Sequence, residues 1–96
     1  MSKQIKEARP VYVIDCDHMT DKESMHDELE RSLPLPSYYG RNLDALWDSL
    51  WELGDCTIVI KGAGAFNICG VYGANFLRTM TDARDEIGLD VRILSD

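Results

Sequence analysis

Three short apolar runs divide the chain. They are VYVIDC (11–16), CTIVIK (56–61) and VRIL (91–94), each rich in β-branched residues and without a regular polar side. Such runs are typical of strands that are buried on both faces of a sheet. Because helical spacing fills the segments between them, strands alternate with helices. This order predicts an α/β fold with a small three-stranded parallel sheet packed with helices.

The first segment between the runs predicts a helix over about residues 21–31. Apolar side chains recur every fourth residue from Met25 to Leu33, which places them on one helical face. Thr20 with Glu23 three residues later matches a capping box, so we expect the helix to begin next to Thr20.

Two further helices follow from caps and periodicity. Asn42 suits the N-cap of a helix over about 43–53. Apolar positions at helical spacing predict another helix over about 74–87, and Gly88 is well placed to end it. The glycine-rich segment 62–73 predicts an irregular connection with at most a short helical turn.

The composition predicts one globular domain. The 96 residues are 45% hydrophobic and 28% charged, and we expect a single domain over 1–96 with 1–10 as an N-terminal extension. No apolar run approaches the roughly 20 residues of a spanning helix, and the first residues lack the apolar segment of a secretory signal. We therefore expect no membrane association and a cytoplasmic location.

The cysteines are predicted to be core residues rather than metal ligands or disulfide partners. Cys16, Cys56 and Cys69 contain no CxxC pair and leave an odd thiol, which favours neither a zinc site nor a disulfide framework. Cys16 and Cys56 lie in strand-like runs and are predicted to be small core residues. No metal or cofactor is expected.

The charge balance narrows the class of partner. The formal net charge is −7, from 17 acidic and 10 basic residues. Direct binding to nucleic acid is disfavoured, because that affinity comes mainly from Lys and Arg that neutralise phosphates. A basic protein partner fits better.

The outer side of the helix over 43–53 is the candidate binding surface. At about 100° per residue, its leucines at 43, 46 and 50 form the side that faces the core. The opposite strip consists of Asp44, Asp48 and Trp51, with Trp47 at its edge and the loop residues Tyr38 and Tyr39 nearby. Carboxylates on an outer helical face are commonly just solvated, but rings beside charge are typical of a protein interface.

Other motifs offer weaker alternatives. Asp15 and Asp17 after a strand resemble the nucleophile motif of small Mg²⁺-dependent phosphatases, with Lys61 as the sole candidate lysine. Gly62 and Gly64 are better explained as turn glycines than as a phosphate loop. Of the two histidines, neither has partner spacing, and His26 is predicted to be a solvated helical residue.

The segment LPLPSYYGRNLDALWDSL (33–50) resembles the signature of the barstar family, whose namesake is the intracellular inhibitor of the secreted ribonuclease barnase. The order of predicted elements over about 11–94 is similar to that of the family. The resemblance implies a non-enzymatic protein that inserts its loop and signature helix into the active site of a basic ribonuclease.

The resemblance also implies roles for single residues. Asp48 would take the place of the RNA phosphate, Asp44 would be a second contact, and Tyr38 would pack on a histidine of the enzyme. The full implied set of partner-binding residues is Tyr38, Tyr39, Gly40, Asn42, Leu43, Asp44, Ala45, Trp47, Asp48, Trp51, and Asp82 or Glu86 from the last helix.

The chain departs from the family pattern inside the signature. Arg41 replaces an acidic residue, so its charge either repels a basic enzyme or pairs with an acid on a different one. Ser49 stands in place of a cysteine, and Trp51 adds an exposed ring. The alternatives of a small phosphatase and of a non-nuclease interaction module stay open, as does the choice between self-protection and immunity to a rival's toxin.

Overall fold

A three-stranded parallel sheet forms the centre of the computed structural model, which describes residues 9–63 and 70–94. The strands are β1 (Val11–Asp15), β2 (Thr57–Lys61) and β3 (Asp90–Ile93), in the spatial order β1-β2-β3. Both pairings are parallel, with Val59 of β2 opposite Val13 on one side and Arg92 on the other. The predicted α/β class and sheet are confirmed.

Within these described residues, three α-helices accompany the sheet. They are α1 (Lys22–Ser32), α2 (Leu43–Trp51) and α3 (Gly70–Asp82); a 3-10 turn, Cys16–His18, follows β1, and a π-helical turn, Ala83–Ile87, extends α3. Gly88 adopts a left-handed φ of 87° and ends this last element as predicted. Within the described residues, no helix is long and apolar enough to cross a membrane.

The start of α3 lies earlier than the sequence predicts. The helix begins at Gly70, inside the segment 62–73 for which an irregular connection is expected. Residues 64–69, which form most of the remaining connection, lie outside the described residues.

The cap of α1 also differs from the predicted pattern. Asp21 is the N-cap: its carboxylate accepts a hydrogen bond from the Ser24 backbone at 2.8 Å, and the Ser24 hydroxyl accepts one from the Asp21 backbone at 2.9 Å. The prediction of a Thr20–Glu23 capping box is therefore wrong by one residue, because Asp followed by Ser supplies the same reciprocal bonds. The bond from the Ser24 backbone lowers the pKa of Asp21.

The core lies between the helices and one face of the sheet. Ile14, Ile58 and Ile60 are fully buried there against the apolar sides of the three helices. The predicted core cysteines Cys16 and Cys56 are buried as well, whereas Cys69 lies outside the described residues.

The opposite face of the sheet is partly open. Val11 and Val13 of β1 are 59% and 48% exposed, so the prediction of strands buried on both faces is wrong for β1. β1 is an edge strand, and its run of β-branched residues reflects the preference of valine for extended backbone as much as burial. Arg9, which precedes β1, donates hydrogen bonds to Thr57 of β2 and Asp90 of β3 and so connects the three strands.

Candidate protein-binding surface

The loop before α2 is fixed to the helix by a cap. The Asn42 carboxamide oxygen accepts a hydrogen bond from the Ala45 backbone at 2.7 Å, and its nitrogen donates to the Gly40 carbonyl at 3.3 Å. Leu46 and Leu50 hold the inner side of α2 in the core with no exposed surface. Since the inner side is fixed, Asp44 and Asp48 are directed to solvent, as the helical wheel predicts.

Asp44, Asp48 and Glu52 define an acidic ridge. Asp44 and Asp48 lie one turn apart on α2, and Glu52 is its C-cap, one turn further on. All three residues are exposed. Across the described part of the chain, none of the three carboxylates has a hydrogen-bond or ion-pair partner. The sequence prediction omitted Glu52, although its position four residues after Asp48 was the signal that places it on the same side of the helix.

A groove of about 210 Å³ separates the ridge from the preceding loop. Its lining consists of Pro36, Tyr38, Tyr39, Gly40, Ala45, Asp48, Ser49 and Glu52. Tyr38 is 81% exposed and lines the groove together with Asp48 and Glu52. A Cβ atom at Gly40 would lie 3.3 Å from that of Ala45, so a larger residue would crowd the groove. The groove combines negative charge with a ring, which suits a cationic side chain of a partner.

The two tryptophans of α2 form a pair beside the ridge. The rings of Trp47 and Trp51 meet edge to face, with centroids 6.3 Å apart and planes at 85°. Trp47 packs partly against the core, while Trp51 is 55% exposed. Both positions agree with the prediction from helical spacing.

Tyr39 is fixed from the inside by a histidine. Its ring is buried, and its hydroxyl lies 2.8 Å from Nδ1 of His26, whose Nε2 lies 2.8 Å from the hydroxyl of Tyr72. His26 is only 1% exposed, so the prediction of a solvated histidine is wrong. Two hydroxyls satisfy the ring nitrogens, which removes the main cost of burying a neutral imidazole.

Burial governs the titration of this cluster. It lowers the pKa of His26, with smaller contributions from the nearby cations Arg41 and Lys22. It also raises the pKa of Tyr39. His26 is therefore neutral at pH 7, with one ring nitrogen donating and the other accepting. No spacing in the sequence could have indicated this cluster, because the three rings come from α1, the loop and α3.

Arg41 turns away from the acidic ridge toward α1. Its guanidinium donates to Glu30 at 2.6 Å, to Asp27 at 2.8 Å and to the Glu23 carbonyl at 3.1 Å. The hydrogen bond to Asp27 is the largest cause of a raised pKa for Arg41. Its charge is therefore neutralised within the chain.

Asp82 and Glu86 belong to the last helical segment, which packs against α2. Asp82 ends α3 and is half-buried, whereas Glu86 is exposed on the π-helical turn. Within residues 9–63 and 70–94, no hydrogen bond or ion pair joins either of them to α2. A depression of about 240 Å³ lined by Trp51 and Ile87 marks where the two segments meet.

The Asp15 and Asp17 motif serves local structure. Asp15 accepts a hydrogen bond from the Asp17 backbone at 3.0 Å and thereby caps the 3-10 turn, and its own backbone donates to the buried Glu28 at 2.9 Å. Gly62 has a φ of 78°, which explains that glycine as a turn residue. Among the residues that the structure describes, no group of three or more His, Cys, Asp or Glu side chains could hold a metal ion.

The fold and this surface define a class: a small α/β protein with a three-stranded parallel sheet and an acidic, aromatic surface on its second helix. Residues 9–94 match the family described as Barstar (barnase inhibitor), and the chain belongs to that family. It is also 36% identical over 85 residues to a protein of Bacillus subtilis (strain 168) named "Putative ribonuclease inhibitor YrdF", an alignment that covers 85% of this chain and 93% of the relative. The family predicted from residues 33–50 is confirmed.

Proposed function

We propose that this protein is an intracellular, non-enzymatic inhibitor of a basic, secreted ribonuclease of the barnase type. Membership of the barstar family and the name of the Bacillus subtilis relative support the class of partner. The observation that carries the mechanism is the Asp48 carboxylate, which is exposed at the groove and has no partner among the described residues.

Mimicry of the RNA phosphate explains this arrangement. A carboxylate presents two acceptor oxygens that match the fork of an arginine, and a ribonuclease cleft must carry cations to hold phosphate. Asp48 occupies that cationic cleft and Asp44 extends the contact along the ridge. Repulsion of roughly 0.2–0.5 kcal/mol between acids one turn apart is offset when the cations arrive.

The remaining predicted site residues shape the contact. Tyr38 offers an exposed ring for a histidine of the enzyme, and the tryptophan pair extends the aromatic surface. The residues that hold the groove and the first turn of α2 are Tyr39, Gly40, Asn42, Leu43 and Ala45. Asp82 or Glu86 adds an outer contact from the last helical segment.

The test is inhibition of purified barnase by the purified chain, measured by RNA cleavage. Asp48→Asn should raise the inhibition constant by about two orders of magnitude or more, because it leaves cations of the enzyme buried and unpaired. The melting temperature should not change, since Asp48 is exposed and makes no bond in the described chain.

Asp17→Asn is the matched control. It makes the same charge change at an exposed residue outside the proposed surface, and it also removes a side chain that the phosphatase alternative needs. Inhibition should stay at the wild-type level in this variant. The proposal fails if the wild-type chain does not inhibit barnase at micromolar concentration, or if the two variants lose inhibition equally.

A further inference from the structure

Arg41 holds an unfavourable backbone conformation at the start of the proposed binding surface. Its φ is 56°, and no other described non-glycine residue has a positive φ. The left-handed conformation is unfavourable for a residue that carries a Cβ atom, because that atom approaches the following carbonyl oxygen. Such a conformation persists only where surrounding contacts fix it.

Within the described residues, the hydrogen bonds of the Arg41 side chain all go to α1. Glu23, Asp27 and Glu30 lie at spacings of four and three residues, on one side of that helix, and each accepts a hydrogen bond from the Arg41 guanidinium. The planar guanidinium can serve three acceptors at once, which a single ammonium group does less well. One arginine side chain thus connects the junction between loop and α2 to a separate helix.

We propose that Arg41 is a positioning residue that clamps the junction at residues 40–42 to α1 and thereby holds the groove in its binding shape. The inference rests on the proposed function, since the shape matters only if the groove receives a partner. The clamp also accounts for the positive charge inside the signature. The Arg41 guanidinium pairs with two carboxylates of its own chain, so it neither repels a basic enzyme nor needs an acid on the partner.

A mutant cycle with barnase as the probe tests the clamp. The variants are Arg41→Gln, the double variant Asp27→Asn/Glu30→Gln, and the triple variant that combines them. We expect each of the first two to weaken inhibition by about tenfold and the triple variant to be no weaker than Arg41→Gln alone, because all three variants lose the same charge pairing between Arg41 and α1. Arg92→Gln removes an exposed arginine that is paired with Asp90 on β3, outside the proposed surface, and should have no effect.

Two patterns would overturn the proposal. If Arg41→Gln strengthens inhibition while the double variant weakens it, only the long-range charge matters. If Arg41→Gln weakens inhibition while the double variant behaves like wild type, Arg41 contacts the ribonuclease directly.

A second measurement separates the clamp from the proposed function. Backbone hydrogen exchange at residues 38–42 should be about tenfold faster in Arg41→Gln and in the double variant, without any ribonuclease present. Unchanged exchange in both variants refutes the clamp. Absence of inhibition by the wild-type chain refutes the proposed function, and the exchange rates still decide the clamp.

Discussion

At the scale of single residues, Gly62 shows how backbone angle and space act together. Its φ is 78°, and a Cβ atom there would lie 3.2 Å from Oδ1 and 3.5 Å from the backbone nitrogen of Asp17. Gly54 has a similar φ of 75° but nothing within 4 Å of its Cβ position. A comparison of the two glycines therefore separates the free-energy cost of a positive φ from the cost of steric contact with Asp17.

Gly62→Ala should therefore destabilise the protein more than Gly54→Ala. We expect the free energy of unfolding to fall by about 1 kcal/mol for Gly54→Ala and by about 2 kcal/mol or more for Gly62→Ala. Urea denaturation of both variants measures the difference. Equal losses would show that the contact with Asp17 relaxes without cost.

Residue positions on a helix were predictable because they depend only on local geometry. Asp44, Asp48 and Trp51 are exposed, and Leu46 and Leu50 are buried, as a rotation of about 100° per residue requires. The burial of His26 was not predictable, since its partners Tyr39 and Tyr72 are 13 and 46 residues away. A pattern in one segment carries no information about such distant partners.

At the scale of elements, His26 joins three parts of the chain. Its ring belongs to α1, and its two nitrogens contact tyrosines of the loop before α2 and of α3. Protonation would place a charge in a buried site near Arg41 and Lys22, with Asp27 and Glu30 only partly compensating. The neutral ring is thus the form that holds these elements together.

Stability should fall in mild acid because of this histidine. Below pH 6.5, its ordinary pKa, the unfolded ring gains a proton while the folded ring, with its lowered pKa, stays neutral. The unfolded state then binds more protons, so the free energy of unfolding decreases as the pH falls, by at most about 1.4 kcal/mol per pH unit. As the pH rises past 6.5, the unfolded ring also becomes neutral and the slope fades.

Urea denaturation between pH 5 and 8 measures this effect. His26→Gln keeps hydrogen-bonding groups but cannot titrate, so the slope assigned to His26 should disappear. The assignment is wrong if the slope survives in His26→Gln.

The type of each element was easier to predict than its burial or its exact ends. Periodicity located the three helices of the described residues, Asn42 marked the start of α2, and Gly88 marked the end of the turn that extends α3. The open face of β1 was missed because a run of valines and isoleucines looks the same in an edge strand as in a buried one. The start of α3 at Gly70 was missed because glycine in a helix opposes local propensity.

At the scale of the whole molecule, the net charge of −7 and the acidic ridge both attract a positively charged partner. The basic ribonuclease proposed as the partner would be attracted over a distance of about 10 Å at moderate ionic strength, and added salt would screen this attraction. Association with barnase should therefore slow by about tenfold or more between low and high salt, while dissociation changes little. Stopped-flow mixing at several salt concentrations measures both rates, and a salt-independent association rate would contradict the steering.

The tryptophan pair gives the molecule a built-in optical reporter. The chain contains two tryptophans, and both lie on α2 beside the acidic ridge. Intrinsic fluorescence of the chain therefore originates almost entirely from one side of the molecule. Trp51 is 55% exposed, so its emission wavelength changes when a partner covers this side of the molecule. Binding can therefore be followed without attaching a dye.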